Sequence, residues 1–246
     1  MSKLADRIRK VTRLAPQPIG FVRSQASAEP TMVLVAFARD AAEAADCARR
    51  GADAVVIGTG DAPATPETRA AAGEAIRGAW IAGAGDDDAK RFREAGYDFV
   101  VFDPDRAAAT ALLDEEIGYV LRLPADLTDV EARALEGFRL DLLDVGRIEG
   151  ALTVRRQIDL QRLHALTRKP LLAHVAPGIT NAALQALRDT NVAAIGADSA
   201  DAVEALRKAI DALPPRARRK DESERPLAFV PRAAAGGGED EDDDGD

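Results

Sequence analysis

Residues 170–210 read PLLAHVAPGITNAALQALRDTNVAAIGADSADAVEALRKAI, and they repeat one pattern twice. An apolar run (PLLAHV, 170–175) breaks at Pro177-Gly178, and an Ala- and Leu-rich segment follows that Thr180 can cap. A second run (VAAIGA, 192–197) leads into a second helical segment. Short apolar runs bounded by breakers read as buried strands, and the longer segments between them as helices. Strands joined by helices lie parallel in one sheet.

The same pattern extends upstream. Further runs stand at MVLVAF (32–37), DAVVIG (53–58), GAWIAG (78–83), DFVVFD (98–103), GYVLRL (118–123) and LDLLDV (140–145). Several helices between them mark their own ends. Thr65-Pro66-Glu67 and Asp126 or Thr128 suit helix starts, and Gly51 and Gly96 suit left-handed helix ends. Eight such units in a chain of 246 residues predict a single closed (β/α)8 TIM barrel. An open doubly wound sheet is the alternative, but no G-x-G-x-x-G follows the first run. Aromatic residues make up only 4% of the chain, so Ala, Val, Leu and Ile must build the core.

Three segments result: residues 1–31, the barrel at 32–213, and a tail at 214–246. In the first, Leu4, Ile8, Val11 and Leu14 or Ala15 form an apolar helical stripe, with Lys3, Arg7, Arg9, Lys10 and Arg13 around it. Such a helix covers the barrel's N-terminal face or joins a subunit interface; the alternative is an anionic membrane surface. The stripe is short and lacks Trp or Phe, which favours the first reading. Pro16, Pro18 and Pro30 then mark an extended connector. The tail, rich in Pro, Gly and blocks of charge, is expected to lack regular structure. Only LAFV (227–230) has adhesive character there.

The net charge of −9 belongs mostly to the seven acids of EDEDDDGD (239–246), so the body is nearly neutral. With few aromatics, that argues against nucleic acid as a partner. The single cysteine, Cys47, excludes an intrachain disulfide and reads as a buried helix thiol. No apolar run is long enough to span a bilayer and no signal-peptide core follows the start, so a cytoplasmic location is expected.

Barrel enzymes place their working groups at the C-terminal ends of strands. Alternation along a strand then tells which polar groups share a face with apolar neighbours. Arg122 shares one with Val120, Asp144 with Leu140 and Leu142, and His174 with Leu172. If those faces point inward, the three residues stand on consecutive strands at the mouth. His174 would be the proton donor or acceptor, Asp144 its orienting partner, and Arg122 the binder of a carboxylate or phosphate. A structural layer of ion pairs is the competing reading. Arg39 and Asp103 end strands one and four, and Asp61 and Asp198 lie past strands two and eight. Arg147 belongs to a long sixth loop, GRIEGALTVRRQ (146–157), which reads as a lid or as an ordinary solvated loop. No lysine ends a strand, so a Schiff-base aldolase lacks its nucleophile. No motif calls for a metal, and no cofactor can be named.

The segment 170–210 resembles the end of aldolase-type and ribulose-phosphate-binding TIM barrels. The resemblance implies a phosphate held by backbone N–H groups of Gly178, Ile179 and Thr180 after strand seven, and of Gly196 and Ala197 in the turn after strand eight. Two functions are therefore weighed. One is a lyase or isomerase moving a proton on a small anionic metabolite, with room for a homo-oligomer. The other is a non-catalytic barrel that serves as a scaffold or binding module.

Overall fold

A computed structural model of the chain describes residues 2–12, 30–59, 63–65 and 73–215. All of these fall within one compact unit, Met1–Arg216. Its eight strands are β1 (Val33–Ala38), β2 (Ala54–Ile57), β3 (Ile76–Ala82), β4 (Phe99–Phe102), β5 (Gly118–Arg122), β6 (Leu142–Arg147), β7 (Leu171–His174) and β8 (Val192–Ala197). Each pairs in parallel with the next, and β8 pairs with β1 to close the barrel. The open sheet is excluded. The described helices are α1 (Lys3–Thr12), α2 (Ala41–Arg49), α3 (Asp88–Glu94), α4 (Asp129–Ala134), α5 (Val154–Thr167), α6 (Asn181–Asp189) and α7 (Ala200–Asp211). A 3-10 turn at Ala109–Leu113 follows β4.

The caps act as the residue types demand. Thr128 forms a capping box with Glu131, and the Thr180 hydroxyl accepts from the Ala183 N–H at 3.2 Å. Gly51 and Gly96 take positive φ just before β2 and β4. The sixth loop is shorter than expected. Thr153 caps α5, so Arg155 and Arg156 belong to that helix, and Arg155 pairs with Asp159 at 3.2 Å.

Two apolar layers hold the barrel. Outward residues such as Leu34, Val55, Leu143 and Ile195 pack beneath the helices, and Cys47 is fully buried among them. Inward residues, including Val35, Val56, Trp80, Phe99, Val101, Val120, Leu142 and Leu172, fill the interior. Few aromatics are needed because one ring fills much of the space. Gly78 lies opposite Phe99, and a Cβ there would meet the ring at 2.2 Å.

The interior continues into α1. Leu4, Ile8 and Val11 are buried in the same cluster as the inward strand residues. Three carboxylates fasten this helix, each immediately N-terminal to β2 or β4 or at the start of β6: Asp53, Asp98 and Asp141. Arg7 donates to Asp53 at 2.6 Å, Lys3 pairs with Asp98 at 2.7 Å, and Ser2 donates to Asp141. Asp53 and Asp98 also accept backbone N–H groups of the preceding strand, from Leu34 at 2.8 Å and Arg77 at 3.0 Å. The helix covers the barrel's N-terminal face, as the stripe implied. Of the basic residues that suggested a membrane surface, Lys3, Arg7 and Arg9 instead meet carboxylates.

Among the described residues no helix is long and apolar enough to cross a membrane. The helix expected to open at Pro66, Asp61, the stripe's end at Arg13, Leu14 and Ala15, the connector around Pro16 and Pro18, and the tail from residue 216 onward lie outside the described residues.

Candidate functional site

Arg122, Asp144 and His174 meet at the C-terminal ends of β5, β6 and β7. Arg122 is in register with Asp144, and His174 with Gly196 of β8. Their strand neighbours Val120, Leu142 and Leu172 face the interior, so period-two alternation delivers all three inward. Gly196 makes room for the imidazole: a Cβ there would lie 2.9 Å from His174 Cγ.

Asp144 is the centre of the group and is fully buried. It accepts Arg122 Nε at 3.3 Å and the Gly146 N–H at 2.9 Å. Gly146 has a φ of 73°, which helps turn its N–H back onto the carboxylate. His174 Nε2 lies 3.2 Å from Asp144 Oδ1, and His174 Nδ1 lies 3.2 Å from Asp198 Oδ1. Arg147 pairs with the other oxygen of Asp198. The Arg122 guanidinium rests 4.3 Å over the Trp80 ring, and Phe37 flanks His174 with ring centroids 4.5 Å apart. A continuous chain thus runs Trp80, Arg122, Asp144, His174, Asp198, Arg147.

Its electrostatics follow from burial and partners. Burial by itself would push the His174 pKa down, but hydrogen bonds and charge from Asp144 and Asp198 outweigh it and raise the pKa to about 9. The ring is therefore an imidazolium at neutral pH, with both N–H groups donated. Burial likewise opposes ionisation of Asp144, yet His174, the Gly146 N–H and Arg122 hold its pKa below the usual carboxylate range. For Asp198 the hydrogen bond from His174 is the largest influence, and its pKa is also lowered. Three cations face two carboxylates, so the chain carries a surplus positive charge. Its ends are open to solvent: the side chains of Arg122, Asp198 and Arg147 are 39%, 42% and 53% exposed.

The other candidates sit elsewhere. Arg39 is exposed and pairs with Glu43 at 3.0 Å, beside the start of α2. Asp103 holds a turn by accepting the Asp105 N–H at 3.0 Å. After β7, the Ile179 N–H is taken by the Ala176 carbonyl at 3.1 Å, and the Thr180 hydroxyl caps α6. The expected phosphate grip there thus has one N–H already committed, while Gly178 is exposed. Gly196 and Ala197 are buried in β8, Gly196 beneath His174. Asp198 does not cap the last helix. Ser199 does, accepting the Ala202 N–H at 3.2 Å, which leaves Asp198 free for His174.

The sequence does not single out Trp80, and it places Asp198 past strand eight without a role. Asp198 stands outside any strand, so alternation cannot aim it. Trp80 shares the inward parity of Gly78 and is the only tryptophan, which was the available signal. Among the described residues no group of three or more His, Cys, Asp or Glu side chains is arranged to hold a metal ion.

A scan against protein-family models finds no match, and a search of the curated proteins finds none. Solved structures do match. KGPDC from Streptococcus mutans superimposes with a TM-score of 0.54 at 14% identity, over 73% of this chain and 97% of that one. The 3-keto-L-gulonate-6-phosphate decarboxylase of Vibrio cholerae O1 biovar El Tor gives 0.55 at 16% identity, over 75% and 99%. Phosphoribosyl anthranilate isomerase from Thermus thermophilus gives 0.50 at 16%, over 73% and 98%. A further structure of the Streptococcus mutans protein is a complex with a phosphorylated sugar. At these identities the likeness is one of fold: the chain shares their closed (β/α)8 barrel.

Proposed function

We propose that the barrel is a lyase acting on a small phosphorylated or carboxylated metabolite, with His174 as its proton donor. The observation that carries this reading is the buried Asp144–His174 pair at the end of adjacent strands, within a chain of surplus positive charge. Buried ion pairs are a poor way to gain stability, because desolvation offsets most of their attraction. An imidazolium is primed to give a proton and cannot take one. Cleavage of a C–C bond leaves an enolate that needs such a donor. An isomerase would need a base first, so the lyase is favoured over it. Asp144 positions the ring, and Arg122 binds the anion by swinging from Trp80. Substrate must displace Asp198 from the Nδ1–H, and Arg147 gives that carboxylate a second partner to retain. The names of the superimposable decarboxylases support the substrate class.

One observation favours the scaffold reading instead: both N–H groups of His174 are already satisfied. The experiment that separates the two is incubation with phosphorylated keto sugars and keto acids in D2O, followed by proton NMR. The lyase incorporates solvent deuterium at the cleaved carbon, and His174→Gln loses this while keeping its fold. No cleavage and no incorporation across the panel, with His174→Gln altering stability alone, would leave the scaffold.

A further inference from the structure

The helix after β5 is too short for its place. α4 has six residues, about 9 Å of helix, and only a 3-10 turn at Leu135–Gly137 continues it, beside an α5 of 14 residues, about 21 Å. The outer surface at the ends of β5 and β6 is therefore incompletely covered. A cleft of about 610 Å³ opens there, between α4, α5 and the loops that follow the two strands. That volume suits a small molecule. It lies in the layer between sheet and helices, whereas Arg122, Asp144 and His174 face the barrel interior.

Its walls are mixed: Leu123, Leu127, Val145, Leu160 and Leu163 form an apolar part, and charged side chains of both signs line the rest. Its charges are accounted for one by one. Arg162 pairs with Asp129, Asp159 with Arg155, and Arg147 with Asp198. Arg156 has no carboxylate within 4.0 Å among the described residues, and its recorded side-chain contact is the Val145 carbonyl at 3.4 Å. A half-buried guanidinium in a cleft whose other charges are paired, with so weak a hold on its neighbours, keeps its fork available to a planar anion. Its place in the first turn of α5 adds the positive end of the helix dipole.

We propose that this cleft is a second binding site, for a small amphipathic carboxylate whose apolar body lies against the leucines and whose head meets Arg156. It borders the barrel mouth through Arg147, which lines the cleft and pairs with Asp198, but it does not rest on the reading of the mouth.

Calorimetry on the full chain tests it, with octanoate as the probe, and with octanol and inorganic phosphate as the two halves of its chemistry. Octanoate is expected to bind one to one, and octanol and phosphate at least tenfold more weakly. Arg156→Gln should lose tenfold or more, and Arg156→Lys should recover part of that. Ala125→Trp, at an exposed position on the cleft wall, should block binding with its melting temperature unchanged. Arg122→Gln should bind octanoate as the wild type does. Equal binding of octanol, or of phosphate alone, overturns the proposal. So does loss of binding in Arg122→Gln with none in Arg156→Gln, which would put the probe at the barrel mouth.

Discussion

His174 Nε2 lies 3.2 Å from Asp144 Oδ1, and that carboxylate has no exposure to solvent. Against the cost of burial, the imidazole keeps its proton because Asp144 holds one nitrogen and a second carboxylate, Asp198, holds the other. The folded pKa, about 9, exceeds the ordinary 6.5. The stabilisation this represents is whole below about pH 6.5 and is lost as pH rises through 9. Its size is about 3 kcal/mol at most. With two histidines in the chain, the proton NMR titration is easily assigned. One resonance should titrate near pH 9. A midpoint below 7 for His174 would refute the clamp.

Asp144→Ala leaves the imidazolium with one partner and strands part of a buried charge. It should cost about 3–5 kcal/mol in denaturant unfolding. The double variant Asp144→Ala/His174→Ala should cost less than the two single changes added together. Simple additivity would show that the pair is not coupled.

Gly196→Ala puts a methyl 2.9 Å from the His174 ring, and the ring must shift. Overpacking of this kind costs about 1–3 kcal/mol. The sharper expectation is electrostatic: His174 loses alignment with both carboxylates, and its pKa should fall towards the ordinary value. An unchanged titration would mean that the ring moves without losing them.

Trp80 is the only tryptophan, and Arg122 stacks on it, so intrinsic fluorescence reports on the mouth. Arg122→Gln should shift the emission and weaken binding of a phosphorylated ligand tenfold or more. An anion that binds the wild type without touching the emission would not be using Arg122.

Leu4 is fully buried against the interior of the barrel. Leu4→Ala should destabilise by about 2–5 kcal/mol, a core value, whereas an undocked helix would tolerate it within about 0.5 kcal/mol. Thermal melts decide between them.

The sequence disclosed what local periodicity can carry. VAAIGA coincides with β8 at both ends, and alternation alone brings Arg122, Asp144 and His174 to one face. What it hid depends on loops and on distance. The direction of Asp198 is set by the turn between β8 and α7, and the start of α5 by Thr153 rather than by the arginines behind it. The recurrent Asp at 53, 98 and 141 was visible, but its partners lie on α1, up to 139 residues away. Composition has no means of pairing residues so far apart.

That distance sets an order of events during synthesis. α1 precedes every strand it touches, yet it packs on β1, β5 and β8. Ten residues make a marginal helix alone, so it must wait, stripe exposed, until the last strand has emerged. The segment made before the barrel is among the last to be buried. Until then Leu4, Ile8 and Val11 are open to any chaperone or neighbouring chain, and the three aspartates stay unlatched. Ring closure and helix docking are thus one late, cooperative step.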